Sequence, residues 1–174
     1  MSDTETKFLL WVQEEVRNGI LTPLFTAITH TADGGWIWFA VAGGLLCSKK
    51  TRNTGMGCLC AMGLNVFVVN VLLKNAVLRI RPYERTEELD ILCRPPKDYS
   101  FPSGHTAISF AAASYIFADG HPKSGAVALV YAGMVGLSRL YIGVHYPSDV
   151  LAGAAIGTAC ALFTKFLRNR KRQK

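Results

Sequence analysis

Two histidines, three cations and one carboxylate fall in three short polar strings of an otherwise oily chain. The first string is Lys74 with Arg81-Pro82 seven residues on, the second is Pro102-Ser103-Gly104-His105, and the third leads from Ser138-Arg139 to His145 and Asp149. Chemistry on a phosphate group needs this set. Lys74, Arg81 and Arg139 can neutralise its oxygens, and the planar fork of donors on Arg139 suits them best. Asp149 can accept the proton of one His145 ring nitrogen, fixing the tautomer and leaving the other lone pair free, so His145 is the candidate nucleophile. His105 stands one turn into a helix, where it can protonate a departing oxygen. A neutral His145 working with a protonated His105 implies a bell-shaped pH profile.

Each string also has an ordinary structural reading. Lys74 and Arg81 can snorkel from a helix end, Pro-Ser-Gly-His can open a helix around a buried histidine, and Asp149 can complement a helix amino terminus. Convergence of all three strings on one membrane face is what favours a common site. Local rules say how each would be presented. Lys74 and Arg81 project from nearly the same face if their helix continues, and Pro82 then ends it. Ser100 or Phe101 is expected at a helix cap with Pro102 in the first turn, which leaves the Ser103 and Gly104 amides as free donors for an anion. Pro147 suits another helix start, with Asp149 in its first turn.

These strings are set in a chain of 174 residues that is 50% hydrophobic, with a mean hydropathy of +0.23. That is one domain by length and too apolar for a water-facing surface. Uncharged runs at 53–73 and 99–118 are long enough for membrane helices, and shorter runs lie at 18–32, 34–48, 124–138 and 150–164. The expected fold is all-α: an integral membrane bundle of six transmembrane helices in a single domain over 1–174, with the polar strings at 74–149. Residues 4–18 place Phe8, Trp11, Val12 and Val16 near one face, which predicts a short amino-terminal helix lying in the membrane interface. The mixed charges of Asp3, Glu5 and Lys7 argue against a cleavable signal peptide. Trp11, Trp36 and Trp38 read as interfacial anchors.

A net charge of +7 can mean nucleic acid, but its distribution argues against that partner. Lys49, Lys50 and Arg52 follow the second run, Lys123 follows the fourth, and Lys165, Arg168, Arg170, Lys171, Arg172 and Lys174 follow the sixth. The positive-inside rule then puts both termini in the cytoplasm and the polar strings on the outer face of a cell membrane. Lys74, Arg79, Arg81, Arg85, Arg94, Lys97 and Arg139 break the rule on that outer face, as a demand for cations there would explain. Cys47, Cys58, Cys60, Cys93 and Cys160 show neither metal-ligand nor disulfide spacing and read as small apolar fillers. His30 and Asp33 read as a surface turn, and the charged run Glu84, Arg85, Glu87, Glu88, Asp90 as a solvated loop. Gly153, Ala154, Ala155, Gly157 and Ala159 read as a face for close helix packing.

At these residues the chain resembles the type 2 phosphatidic acid phosphatase family of membrane lipid phosphatases. Its signature is Lys with Arg-Pro downstream, then Pro-Ser-Gly-His, then Ser-Arg followed by His and Asp. Lys74 through Pro82, Pro102 through His105 and Ser138 through Asp149 match it at every signature position. The resemblance implies a metal-independent reaction without cofactor. In it His145 attacks phosphorus to give a phosphohistidine, Asp149 orients His145, and His105 protonates the leaving oxygen. Lys74, Arg81, Ser103, Gly104 and Arg139 hold the phosphate, and water hydrolyses the intermediate. It implies a lipid phosphate or diphosphate as substrate, first a polyisoprenyl (undecaprenyl) diphosphate and second a phosphatidate or phosphatidylglycerol phosphate. Two other classes share features of the pattern. A vanadate haloperoxidase has the same anion pocket but is soluble, and a non-catalytic lipid transporter has no need of His145 with Asp149. The oligomeric state is left open.

Overall fold

The computed structural model describes residues 2–172. Lys174, counted above among the basic residues of the carboxyl end, lies outside them. Among the described residues the chain is helical, with no strand: α1 (Ser2–Trp11), α2 (Leu21–Thr31), α3 (Trp36–Leu46), α4 (Arg52–Val66), α5 (Lys74–Val77), α6 (Pro82–Arg85), α7 (Gly104–Ala118), α8 (Pro122–Tyr141) and α9 (Pro147–Arg172). A π-helical stretch, Phe67–Leu73, joins α4 to α5 without interruption.

The middle of the bundle is α7, which packs against α9, α8 and α4. It can do so because its inner residues are small: Ala107, Ala111, Ala112 and Ala113 are all fully buried. The crossing of α9 is closer still. A Cβ added to Gly157 would stand 2.1 Å from the Ala107 carbonyl oxygen, so only glycine fits there. This contact draws the start of α9 against the start of α7, where the Ser103 N–H donates to the Asp149 carbonyl at 3.0 Å. The second and third polar strings are thereby joined through backbone.

Outward faces of the bundle are apolar. Val127, Val130 and Leu151 are 71%, 67% and 71% exposed, a surface that suits hydrocarbon and not water. Two stretches, Arg52–Arg85 and Pro147–Lys171, are long and apolar enough to cross a membrane.

The amino-terminal half differs from the expectation in helix length. α2 and α3 have 11 residues each, about 16 Å at 1.5 Å per residue, and they follow one another down the same side of α8. Asn18 and Thr22 meet the Tyr141 hydroxyl at 3.1 and 2.9 Å, Ile28 and Ala32 pack on Val135, and Leu45 shares a groove with Ser124. Gly34 and Gly35, at φ 59° and 76°, link the halves in a conformation open to glycine. The two uncharged runs therefore form two short helices laid end to end along α8, each shorter than about 30 Å of hydrocarbon requires.

α1 and the later turns of α9 lie at opposite ends of the bundle, where the two termini were expected together. Glu5 of α1 accepts the Ser148 N–H at 2.8 Å, at the end of the bundle that holds the polar strings. Lys165 of α9 pairs with Asp119 at the opposite end, where Lys49, Lys50, Arg52 and Lys123 also lie. The amino-terminal residues divide differently from the expected face: Leu9 of α1 and Val12 just after it are buried, while Phe8 and Trp11 point outward. Leu9 packs with Leu89 and Tyr146. Glu84, Arg85, Glu87, Glu88 and Asp90 are all exposed, as expected of a solvated loop, while Gln13 and Arg17 tie its backbone to the amino-terminal segment through the Glu88 and Asp90 carbonyls at 2.9 and 2.8 Å. Trp38 is no interfacial anchor either. It is 2% exposed, and its indole N–H donates to Ser109 Oγ at 2.7 Å.

Candidate active site

Lys74 and Arg81 come together by a route other than a shared helical face. α5 stops at Leu78, whose φ of 52° is left-handed, and the Leu78 N–H bonds back to the Lys74 carbonyl at 3.1 Å. Such a cap turns the chain out of the helix. Arg81 is extended, and Pro82 opens α6 where it was expected to close a helix. Asp98 then gathers both cations. Arg81 Nη2 lies 2.7 Å from Asp98 Oδ1, Arg81 Nε donates to the Asp98 carbonyl at 2.8 Å, and Lys74 Nζ pairs with Oδ2. Burial alone would raise the Asp98 pKa, but the Lys74 and Arg81 charges outweigh it and bring it down to about 2.

His145 sits in the turn between α8 and α9, at whose bend Gly143 has φ 80°. The imidazole is 1% exposed. Its Nε2 lies 3.3 Å from Arg81 Nη1, which also donates to the Val144 carbonyl at 2.7 Å. Its Nδ1 lies 3.5 Å from Asp149 Oδ2. A donor at Nε2 and a carboxylate at Nδ1 select the tautomer with the proton on Nδ1, so the lone pair is on Nε2. Burial first, then the Arg81 and Arg139 charges, lower the His145 pKa to about 3 against the pull of Asp149, which leaves the ring neutral. Asp149 is itself fully buried. Its Oδ2 accepts Ser100 Oγ–H at 2.5 Å and the Tyr146 N–H at 2.9 Å.

The start of α7 differs from expectation in register. Ser103 is the cap and Gly104 the first helical residue, so Pro102 precedes the helix. The Ser103 amide is already engaged by Asp149, and its hydroxyl lies 2.9 Å from Thr106 Oγ1. The amides that head the helix without an intrahelical acceptor are those of Gly104, His105 and Thr106. Gly104 keeps its expected place: a Cβ there would stand 3.7 Å from Lys74 Nζ.

Arg139 is 3% exposed. Its Nη1 donates to Thr29 Oγ1 at 2.6 Å, its Nε has no hydrogen-bond partner, and among the described residues no carboxylate forms an ion pair with it. A buried guanidinium with an open donor is prepared for an anion. His105 lines two cavities. One of about 420 Å³ also holds Lys74, Asp98 and Gly104 and has Phe39, Val69 and Ile108 as an apolar wall; another of about 470 Å³ holds Arg139 and Asp33. A larger cavity of about 900 Å³ lies at the far end of the bundle, lined by Leu64, Phe163 and Arg168 among others, and contains none of the expected site residues.

All eight expected residues thus lie at one end of the bundle, and four further ones join them. Asp33, read from sequence as part of a surface turn, accepts from His105 Nε2 at 2.9 Å and from His30 Nδ1 at 3.0 Å. Asp98 and Ser100 stand just before Pro102, and Arg79 lies inside the first string, where position alone marked them. Among the described residues no group of three or more His, Cys, Asp or Glu side chains is placed to hold a metal ion.

The chain is 30% identical over 123 residues to an undecaprenyl-diphosphatase of Sulfolobus acidocaldarius, covering 71% of this chain and 59% of that protein. It is 35% identical over 132 residues to the bacitracin transport permease protein BcrC of Bacillus licheniformis, covering 74% and 64%. The chain therefore spans about three fifths of the length of these curated relatives. The crystal structure of Aquifex aeolicus LpxE superposes with a TM-score of 0.79 at 28% identity, covering 91% of this chain and 92% of that one. The model of the PAP2 superfamily matches residues 54–173, which include every signature residue brought together above, and the chain belongs to that superfamily.

Proposed function

We propose that this chain is an integral membrane lipid phosphatase that hydrolyses a lipid phosphate or diphosphate without a metal ion. The observation that carries the reading is a buried, neutral His145 backed by Asp149 and close to Arg81 and Arg139, the second of which keeps its Nε open. Nucleophilic attack by His145 Nε2 forms the N–P bond as the P–O bond to the lipid breaks. His105 delivers the proton that the departing oxygen needs. Water then attacks the phosphohistidine, gives its proton to His105 and releases inorganic phosphate. Lys74, Arg81, Arg139 and the amides at the start of α7 stabilise the equatorial oxygens, the main requirement of phosphoryl transfer.

A polyisoprenyl diphosphate is the first substrate choice. The undecaprenyl-diphosphatase relative supports it, as does the apolar wall of Phe39, Val69 and Ile108 beside Lys74 and His105. Read as one broken crossing, α2 and α3 bring the bundle to five crossings; with basic residues gathered at the far end, the site then faces outward, α1 lies on the same outer face at the interface, and the carboxyl end is cytoplasmic.

The test is phosphate release by the purified protein from polyisoprenyl diphosphate, polyisoprenyl monophosphate, phosphatidate and phosphatidylglycerol phosphate, with a chelator present. Release persists with chelator and is fastest from the isoprenoid diphosphate. No release from any of the four would refute the enzyme reading, and loss on chelation would refute metal independence.

The Asp98 carboxylate occupies both Lys74 and Arg81 at rest, so an incoming phosphate must displace it. Asp98→Asn removes that competitor and should tighten inhibition by orthovanadate about tenfold, the magnitude of one modest ion pair lost from the free state. Unchanged or weaker vanadate inhibition would mean that Asp98 does not stand in the phosphate's place.

A further inference from the structure

The buried Asp149 carboxylate has two oxygens with different neighbours. Oδ2 serves His145, Ser100 and Tyr146, as described. Oδ1 accepts Arg79 Nη1 at 2.5 Å, and Arg79 is the one cation paired with Asp149 among the described residues. The guanidinium reaches further. Nη1 also meets Ser148 Oγ at 2.7 Å, Nη2 meets Glu5 Oε2 at 2.6 Å, and its plane lies 4.0 Å from the centre of the Tyr146 ring. Glu5 closes the circuit, since its Oε1 accepts the Ser148 N–H at 2.8 Å. One side chain of α1 therefore grips both Arg79 and the first turn of α9, where a carboxylate is favourable.

Charge explains why both residues are needed. A carboxylate with no solvent exposure requires a paired cation to stay ionised. Arg79 supplies it, but a lone arginine would cancel the negative charge that His145 needs as its ring becomes positive on attack. Glu5 restores the balance: Glu5, Arg79 and Asp149 together carry one negative charge, directed at His145. Burial would raise the Glu5 pKa, yet the Ser148 and Arg79 bonds outweigh it and keep it below the ordinary value.

We propose that Arg79 and Glu5 are positioning residues of the reaction, which hold Asp149 ionised and aimed at His145, and that α1 is therefore a working part of the site. This rests on the phosphatase reading above. The charged and titratable groups facing the pair are Glu5 from α1, Arg79 and Arg81 from the loop before α6, and Arg139 from α8.

The experiment measures kcat and KM for wild type, Glu5→Gln, Arg79→Gln, Arg79→Lys and the double Gln variant, with proton NMR of the His145 Nδ1–H in the same proteins. Arg79→Gln should lower kcat about 100-fold and Glu5→Gln about fivefold, within the range of supporting residues. KM should change less than twofold, because neither residue touches the phosphate-binding cations. Arg79→Lys should recover part of the loss, and the double variant should be no worse than Arg79→Gln alone, since both act through Asp149. The downfield Nδ1–H resonance should move upfield in each Gln variant. An unmoved resonance with kcat within twofold of wild type would overturn the inference, as would a loss confined to KM. If Arg79→Gln does not fold, Glu5→Gln at the edge of the network decides. A wild type that releases no phosphate would refute the functional reading, and the resonance alone would then decide this one.

Discussion

His145→Ala is expected to lower phosphate release by at least about 10⁴-fold, the scale on which enzymes lose a covalent nucleophile. The residue cannot be replaced by a neighbour. His105 is engaged with Asp33 through Nε2. The expected loss is in kcat, because the cations that bind the phosphate remain. Burial also fixes a pH signature. His145 binds a proton in the folded protein only at about 3, against 6.5 for a free imidazole, so the acid limb that it contributes falls far below the usual histidine range. The same shift bears on folding. Its unfolded form takes up a proton that the folded form refuses, so its contribution is fully present above 6.5 and is lost as pH falls toward 3. A kcat/KM profile whose His145-dependent inflection lies near 6.5 would contradict this environment.

Arg139→Met is expected to lower kcat/KM by about 10²–10³, the cost of removing one prepared donor to a charged transition state. Arg139→Lys should recover little, because a point charge cannot reproduce the planar fork that Thr29 Oγ1 aims. The two properties of the variant should move in opposite directions. The wild type holds a guanidinium that is 3% exposed with an unpaired Nε, and an apolar side chain of similar length relieves that burial. Arg139→Met is therefore expected to melt at a higher temperature than wild type while losing activity. A variant that loses both together would show Arg139 to be structural.

How much of this was readable in the sequence follows from the range of each interaction. The proline-marked helix start at Pro147 and the helical character of the described residues are local, and they stand where expected. The break at Leu78 was not legible, because a leucine in a left-handed cap leaves no composition signal. Nor was the end-to-end course of α2 and α3 along α8, since two short apolar runs separated by Asp33-Gly34-Gly35 look the same whether the chain turns back or continues. Asp98 and Arg79 were missed for a different reason. Their roles come from pairing across 24 and 70 residues of chain, and a charged residue in a loop carries no mark of the partner that will bury it.

The central claim is that phosphate passes through His145, and rapid-quench trapping tests it most directly. The purified protein, mixed with its lipid substrate labelled in the phosphate that is released, should carry a transient covalent label that is lost in acid and kept in alkali, located at His145 and missing from His145→Ala. Full turnover with no such label in the wild type, or an equal label in His145→Ala, would contradict the account.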